Sequence, residues 1–192
     1  MTQGSDTYVL DSVVSFWDVD REQLFTLPGV FKLLQEGAIK HADLHDVGSR
    51  MMLERGETWV LNRISASLLR YPRYEERLRL VTWSAGIRGF KGYREFRLYS
   101  GEELILSASS LWLYLNFQTK TFARVPAELA AGFPERREDV HHPDLDRLRL
   151  DEPAAEAASC SVSLRYSDLD SNGHVNNTSY FDYLQTALAA TG

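Results

Sequence analysis

The feature that most restricts how this chain can fold is an internal repeat. Laid against itself at an offset of 150 residues, the chain sets FWDVD (Phe16 to Asp20) on YSDLD (Tyr166 to Asp170). The same register carries Phe31 onto Phe181, Leu34 onto Leu184 and Gln35 onto Gln185, with Val30 facing Tyr180. Identities held in one register through strand, loop and helix mark a duplicated unit rather than shared composition. The copies diverge in the loop, where the first reads REQLFTLPG and the second SNGHVNNTS. One copy keeps the scaffold, and the other gathers polar groups.

Tyr8 to Phe16 (YVLDSVVSF) reads as a strand that Asp18 and Asp20 break. A helix follows, with Val30, Leu33, Leu34, Gly37, Ala38 and His41 at helical spacing, Pro28 in its first turn and Gly48 as a stop. WVLNRISASLLRYP, ERLRLVTWSAGIR, KGYREFRLYS and EELILSASSLWLYLNFQTKTFARVP then read as antiparallel strands, with RYPRYEE and YSGEE as turns. The polar segment Pro134 to Ser159 reads as a linker, and Cys160 to Tyr166 as another strand. The implied organisation is a complete unit over 1–133, a linker over 134–159, and a second unit begun over 160–192. The second strand is expected to pair along a sheet edge of the first unit, leaving the second helix partly covered.

Net charge is −6, with 21 basic against 27 acidic side chains, so nothing electrostatic favours nucleic acid. The lone Cys160 cannot form an internal disulfide. With no signal segment at Met1 to Val14 and no apolar run long enough for a membrane span, the expected setting is cytoplasmic.

The second loop carries the candidate chemistry. Asp170, Asn172 and His174 alternate at intervals of two, so an extended loop projects them to one side. Asn176, Asn177 and Thr178 stand where the next helix begins, whose end offers N–H donors and a positive dipole. Such an end can stabilise an oxyanion, while a neutral His takes a proton from water. Asp170 could orient the imidazole or the water, and Asn172 could hold either. The same residue types also build any tight turn and helix cap. On that reading Asp168 or Asp170 caps a turn, Asn176 caps the helix and His174 is incidental. Residue types alone leave both readings open.

YSDLDSNGHVNNTSY resembles WSDLDxNxHVNNxxY, the signature of the acyl-ACP thioesterases. WVLNRISASLLRYPRYEE and LWLYLNFQTKTFARVP are similar to further segments of that family. The resemblance implies an α+β double hotdog, two units each wrapping an antiparallel sheet around a central helix, here with the second unit incomplete. It places Asp170, Asn172 and His174 on the family's catalytic Asp, Asn and His. It implies hydrolysis of a fatty acyl thioester on acyl carrier protein, without metal or organic cofactor, and an acyl pocket in the first unit. Only 26 residues follow Tyr166, so the later strands and the further acidic residue of the family pattern are not in this sequence. Cys160 precedes the motif and does not match the cysteine of some members. An acyl-CoA thioesterase, because HVNN also occurs in that hotdog type, and a catalytically silent acyl- or carrier-binding fragment are the alternatives. A homodimer is possible.

Four basic residues, Arg88, Lys91, Arg94 and Arg97, cluster in IRGFKGYREFR. They read either as a strand's solvated face or as a docking patch for the acidic carrier protein. His41 and His45, with Asp46 adjacent, have a spacing compatible with zinc but no third ligand in a recognisable motif, and read as polar residues at the helix's exposed end. His141 and His142 read as solvated linker residues. Trp17, Trp59, Trp83 and Trp112 are expected in the core.

Overall fold

The computed structural model describes residues 6–45, 49–154, 159–170 and 173–191. Six strands form a single antiparallel sheet: β1 (Thr7–Val13), β2 (Glu57–Leu68), β3 (Arg77–Arg88), β4 (Lys91–Ser100), β5 (Glu103–Asn116) and β6 (Thr121–Phe122). Their order is β1-β3-β4-β5-β2, with β6 paired to the end of β5. Four helices accompany them: α1 (Leu27–Asp43), α2 (Ser49–Glu54), α3 (Ala127–Ala131) and α4 (Ser179–Thr191). Short 3-10 turns occur at Phe16–Asp18, Leu145–Arg147 and Tyr166–Asp168. The first strand is shorter than expected, because Ser15 caps the turn at Phe16–Asp18 by accepting from the Trp17 N–H.

The sheet wraps α1, which buries Val30, Leu33, Leu34, Gly37, Ala38 and His41. Thr26 caps its start by accepting the Gly29 N–H at 3.3 Å, and Pro28 sits in the first turn, where a missing donor costs nothing. At Gly37 an added Cβ would come within 2.5 Å of Leu80 Cδ2, so the helix can lie this close to β3 only without a side chain there. Val30, Leu34 and Ala38 pack on Leu80, Phe96, Leu98, Leu106 and Ala108. Burial of that apolar interface is the dominant stabilising term of the unit.

The 150-residue register reappears in three dimensions. The 3-10 turns at Phe16–Asp18 and Tyr166–Asp168 are equivalent, and α1 and α4 meet where Phe31 stacks on Phe181 at 3.7 Å, with their planes 5° apart. Two sequence-equivalent rings thus meet face to face between the repeats.

Two expectations fail here. Cys160 to Tyr166 forms no strand and pairs with no sheet edge; most of it is exposed. A strand requires a ladder partner, and the edges of the sheet, β1 and β2, do not receive it. Second, part of the expected linker is a strap on the sheet's outer face. Leu145 is 1% exposed, and Arg63 donates to the carbonyls of Leu145, Asp146 and Leu148. The His141 N–H donates to Glu95 Oε2 at 2.9 Å, and the His142 N–H to Ser109 Oγ at 2.8 Å. These histidines are therefore half-buried and anchored by their backbones, not free linker residues. The strap supplies further hydrogen bonds to polar groups buried on that face.

Candidate active site

The polar loop is a tight turn built the same way in both repeats. In the first copy the Asp20 N–H donates to the Leu24 carbonyl at 2.9 Å, and the Gln23 N–H donates to the Asp20 carbonyl at 3.0 Å. Asp20 Oδ1 accepts the Leu24 N–H at 3.0 Å. In the second copy the Asp170 N–H donates to the His174 carbonyl at 2.8 Å, and the Gly173 N–H to the Asp170 carbonyl at 3.0 Å. Asp170 Oδ1 accepts the His174 N–H at 3.1 Å. The turn needs a left-handed residue, which is Gln23 at φ 60° and Gly173 at φ 73°. Glycine meets that demand without strain. The bridges Val19–Phe25 and Leu169–Val175 close the two loops.

The turn-and-cap reading thus describes the backbone, and the side chains it presents are a separate matter. Asp170, His174, Val175, Asn176, Asn177 and Tyr180 line one end of a cavity of about 560 Å³. Its other walls come from the first unit: Gln35, Ile39 and Ala42 of α1, Met52 of α2, and Trp59, Ile87, Trp112 and Phe133. A largely apolar cleft with a few convergent polar groups is the usual form of a small-molecule site. His174 is exposed. Asn172 lies outside the described residues.

Among the groups proposed for the helix end, Asn176 and Asn177 line the cavity and Thr178 does not. Thr178 is buried, and both its N–H and its hydroxyl donate to Asn176 Oδ1, at 2.9 and 2.8 Å. The Ser179 N–H donates to the Asn176 carbonyl at 2.9 Å, so these donors serve the cap and are not available to an oxyanion. Asn177 Oδ1 is buried without a hydrogen-bond partner among the described residues, leaving that amide the less committed of the two.

Beneath the loop, Asp168 accepts the Arg165 N–H at 2.9 Å, Arg165 Nε at 3.0 Å and the Tyr183 hydroxyl at 2.8 Å. The backbone N–H and guanidinium of Arg165, with the Tyr183 hydroxyl, hold its carboxyl down to about 2. Asp168 is thus a strut between the 3-10 turn and α4.

The four basic residues do not share a surface. Arg88 pairs with Glu135 at 3.3 Å, and Lys91 with Asp146 at 3.5 Å. Arg97 is largely covered, 3.6 Å from Glu95 and over the Trp83 ring. Arg94 is buried against α1. The docking patch therefore fails for Arg94, which strand alternation turns to the helix side, and for Arg97, which shares the outer face with Lys91 but is covered by Glu95 and the Asp139 carbonyl. His41 is likewise buried, not at an exposed helix end. Its Nδ1 accepts from Arg94 at 2.9 Å, and its Nε2 lies 3.3 Å from His45 Nε2. Asp46 is outside the described residues, and among those described no group of three or more side chains could hold a metal. Trp83 is core, Trp59 and Trp112 line the cavity, and Trp17 is 88% exposed, contrary to expectation. Gln35, Met52 and Phe133 also wall the cavity without having been expected there; of the three only Gln35 carries a sequence signal, its identity with Gln185.

Comparison with known proteins yields two family matches: the acyl-ACP thioesterase N-terminal domain over residues 6–133, and the C-terminal domain over 151–191. A chloroplastic acyl-acyl-carrier-protein hydrolase of Cuphea viscosissima is 27% identical over 181 residues, covering 88% of this chain and 44% of that protein. A palmitoyl-acyl carrier protein thioesterase of Gossypium hirsutum is 28% identical, with the same two coverages. The 12:0-ACP thioesterase of Umbellularia californica superimposes with a TM-score of 0.80 at 20% identity, over 96% of this chain and 75% of that one. An acyl-ACP thioesterase of Bacteroides thetaiotaomicron gives 0.70 at 22%, over 97% and 75%. These solved structures establish the α+β hotdog fold. The chain spans about 44% of the length of the curated relatives it matches.

Proposed function

The chain belongs to the acyl-ACP thioesterase family, and from that premise we propose that it hydrolyses fatty acyl thioesters carried on acyl carrier protein. The observation that supports this most is the shared cavity: the polar turn of the second repeat and the apolar walls of the first unit enclose one space. An acyl chain fits the apolar walls, with its thioester at His174.

In this reading neutral His174 accepts a proton from water as the water oxygen bonds to the thioester carbon. The carbonyl becomes an oxyanion, for which the amide of Asn177 is the candidate donor at the cavity wall. Collapse breaks the C–S bond, the imidazolium returns its proton to the departing thiolate, and free fatty acid remains. Asp170 holds the His174 backbone through Oδ1 and so fixes where the imidazole is presented. Asn172 would orient the water or the imidazole, as the family motif implies. Carrier contact would fall to the half-exposed Arg88 and Lys91 rather than to Arg94 or Arg97. The cytoplasmic setting and a homodimer remain parts of the proposal; the exposed Cys160 suits a reducing compartment.

The test is turnover of acyl-ACP by the chain and by His174→Ala. Loss of roughly 10²- to 10⁴-fold in kcat, with a smaller change in KM, is the expected result. Unchanged turnover would remove His174 as the base. Acyl-CoA of equal chain length, run in parallel, decides which carrier is preferred.

A further inference from the structure

Apart from Thr82, the helix-facing side of the sheet is apolar until it reaches the row of Arg94. Leu80, Leu98 and Leu106 stand in register across β3, β4 and β5, followed by Thr82, Phe96 and Ala108. The next row is Ser84, Arg94 and Ser110. Arg94 is 8% exposed, and it lines the same cavity as His174.

Its partners are few. Nη1 donates to His41 Nδ1 at 2.9 Å and to Thr82 Oγ1 at 3.1 Å. Neither is an anion, and among the described residues no carboxylate pairs with Arg94. The adjacent Glu95 turns to the opposite face, where it accepts the His141 N–H. The Phe133 ring, also part of the cavity wall, lies 6.0 Å from the guanidinium carbon. Burial pushes the guanidinium down to about 10, which still leaves it charged at neutral pH.

A guanidinium carries five N–H donors, more than two neutral acceptors on one nitrogen can use. A plain alkyl chain laid beside it would strip it of water and return no acceptor, which is unfavourable. An acyl chain carrying its own oxygen would replace that water. We propose that Arg94 determines specificity, and that the cavity takes fatty acyl groups bearing an oxygen acceptor on the chain: a hydroxyl, oxo or carboxylate oxygen that meets the guanidinium. This rests on the reading of the cavity as an acyl site. His174 is exposed whereas Arg94 is buried in the wall, so the acceptor belongs to the chain beyond the thioester. An Arg94 that only tied α1 to the sheet through His41 would leave ligand preference untouched.

The experiment is displacement of a fluorescent fatty amide from the whole chain by dodecanamide, its β-hydroxy derivative and its ω-carboxy derivative. Amides carry no carboxylate at the thioester position, and binding requires no turnover. One oxygenated amide should displace the probe at a concentration roughly ten- to a hundredfold below that of dodecanamide. The better of the two locates the acceptor along the chain. Arg94→Met should abolish the difference, and Arg94→Lys should keep part of it. Equal displacement by all three amides overturns the proposal without any variant, as does an unchanged ratio in a folded Arg94→Met protein. Displacement by none would overturn the acyl cavity as well. The stated preference without thioester hydrolysis would count against the hydrolase reading alone.

Discussion

Asp170 and Asp20 make the same backbone turn and differ in what the turn presents. Each carboxylate accepts an N–H four residues on, from His174 in one copy and Leu24 in the other. Asp20 also accepts the Glu22 N–H at 2.9 Å, and it does not line the cavity. Asp170 does, beside an imidazole that the turn holds at the cavity end. Asp20→Asn keeps an acceptor oxygen for the turn and touches no cavity group, so turnover should stay within about twofold. Under the proposed mechanism Asp170→Asn should lower turnover by roughly ten- to a hundredfold, because the cavity end that holds His174 loses its negative charge while an imidazolium forms. Side-by-side kinetics of the two variants check this. Comparable losses would show that the first loop does more than hold its backbone.

At the scale of elements, the join between the 3-10 turn at Tyr166–Asp168 and α4 depends on one carboxylate. Asp168 is held at about 2 against an ordinary value of 3.8, first by the Arg165 N–H and then by its guanidinium and the Tyr183 hydroxyl. A folded value below the unfolded one contributes stability that is complete above about pH 4 and is lost as pH falls through 2. Asp168→Asn should therefore lower the thermal midpoint at pH 6, with the gap from wild type narrowing steadily between pH 4 and pH 2. Glu76, also near 2, is unaltered in both proteins and cancels in the comparison. A gap that stayed constant down to pH 2 would show that the Asp168 charge contributes nothing. The repeat made this join locatable, since Asp18 and Asp168 share a register. Other features were not legible. The alternation in Cys160 to Tyr166 says how a segment could pair, not whether a partner lies beside it. The run of polar residues at Pro134 to Leu150 hid a strap because its anchors are backbone N–H groups and carbonyls, which composition does not record. Arg94 and His41 read as exposed for a related reason: a buried cation among neutral acceptors has no sequence pattern.

At the scale of the whole molecule, the decisive asymmetry among the described residues is that the sheet wraps one helix and not the other. The sheet encloses α1, whereas α4 meets the rest of the chain mainly along α1, through Phe181 on Phe31. Tyr180, Leu184 and Leu188 recur at intervals of four, so they form one stripe, and they are 60%, 46% and 60% exposed. The expectation of a partly covered second helix holds on this stripe. Three large apolar side chains in a row make a contiguous patch of the kind that soluble chains rarely leave open. Complete burial from full exposure is worth about 1.5–3 kcal/mol for a side chain of this size, so these half-covered residues would each contribute roughly half of that, before the cost of association. The chain should therefore self-associate weakly, with a weight-average mass that rises with concentration in sedimentation velocity. Leu184→Glu with Leu188→Glu places two carboxylates on the stripe, opposes its burial by desolvation and mutual repulsion, and should return the chain to a monomer. The Phe31–Phe181 stack and the sheet are untouched by those changes, so the thermal midpoint should hold. Concentration-dependent mass that persisted in the double variant would place the contact elsewhere, with the exposed Phe16 and Trp17 beside Tyr74 as the next surface to alter.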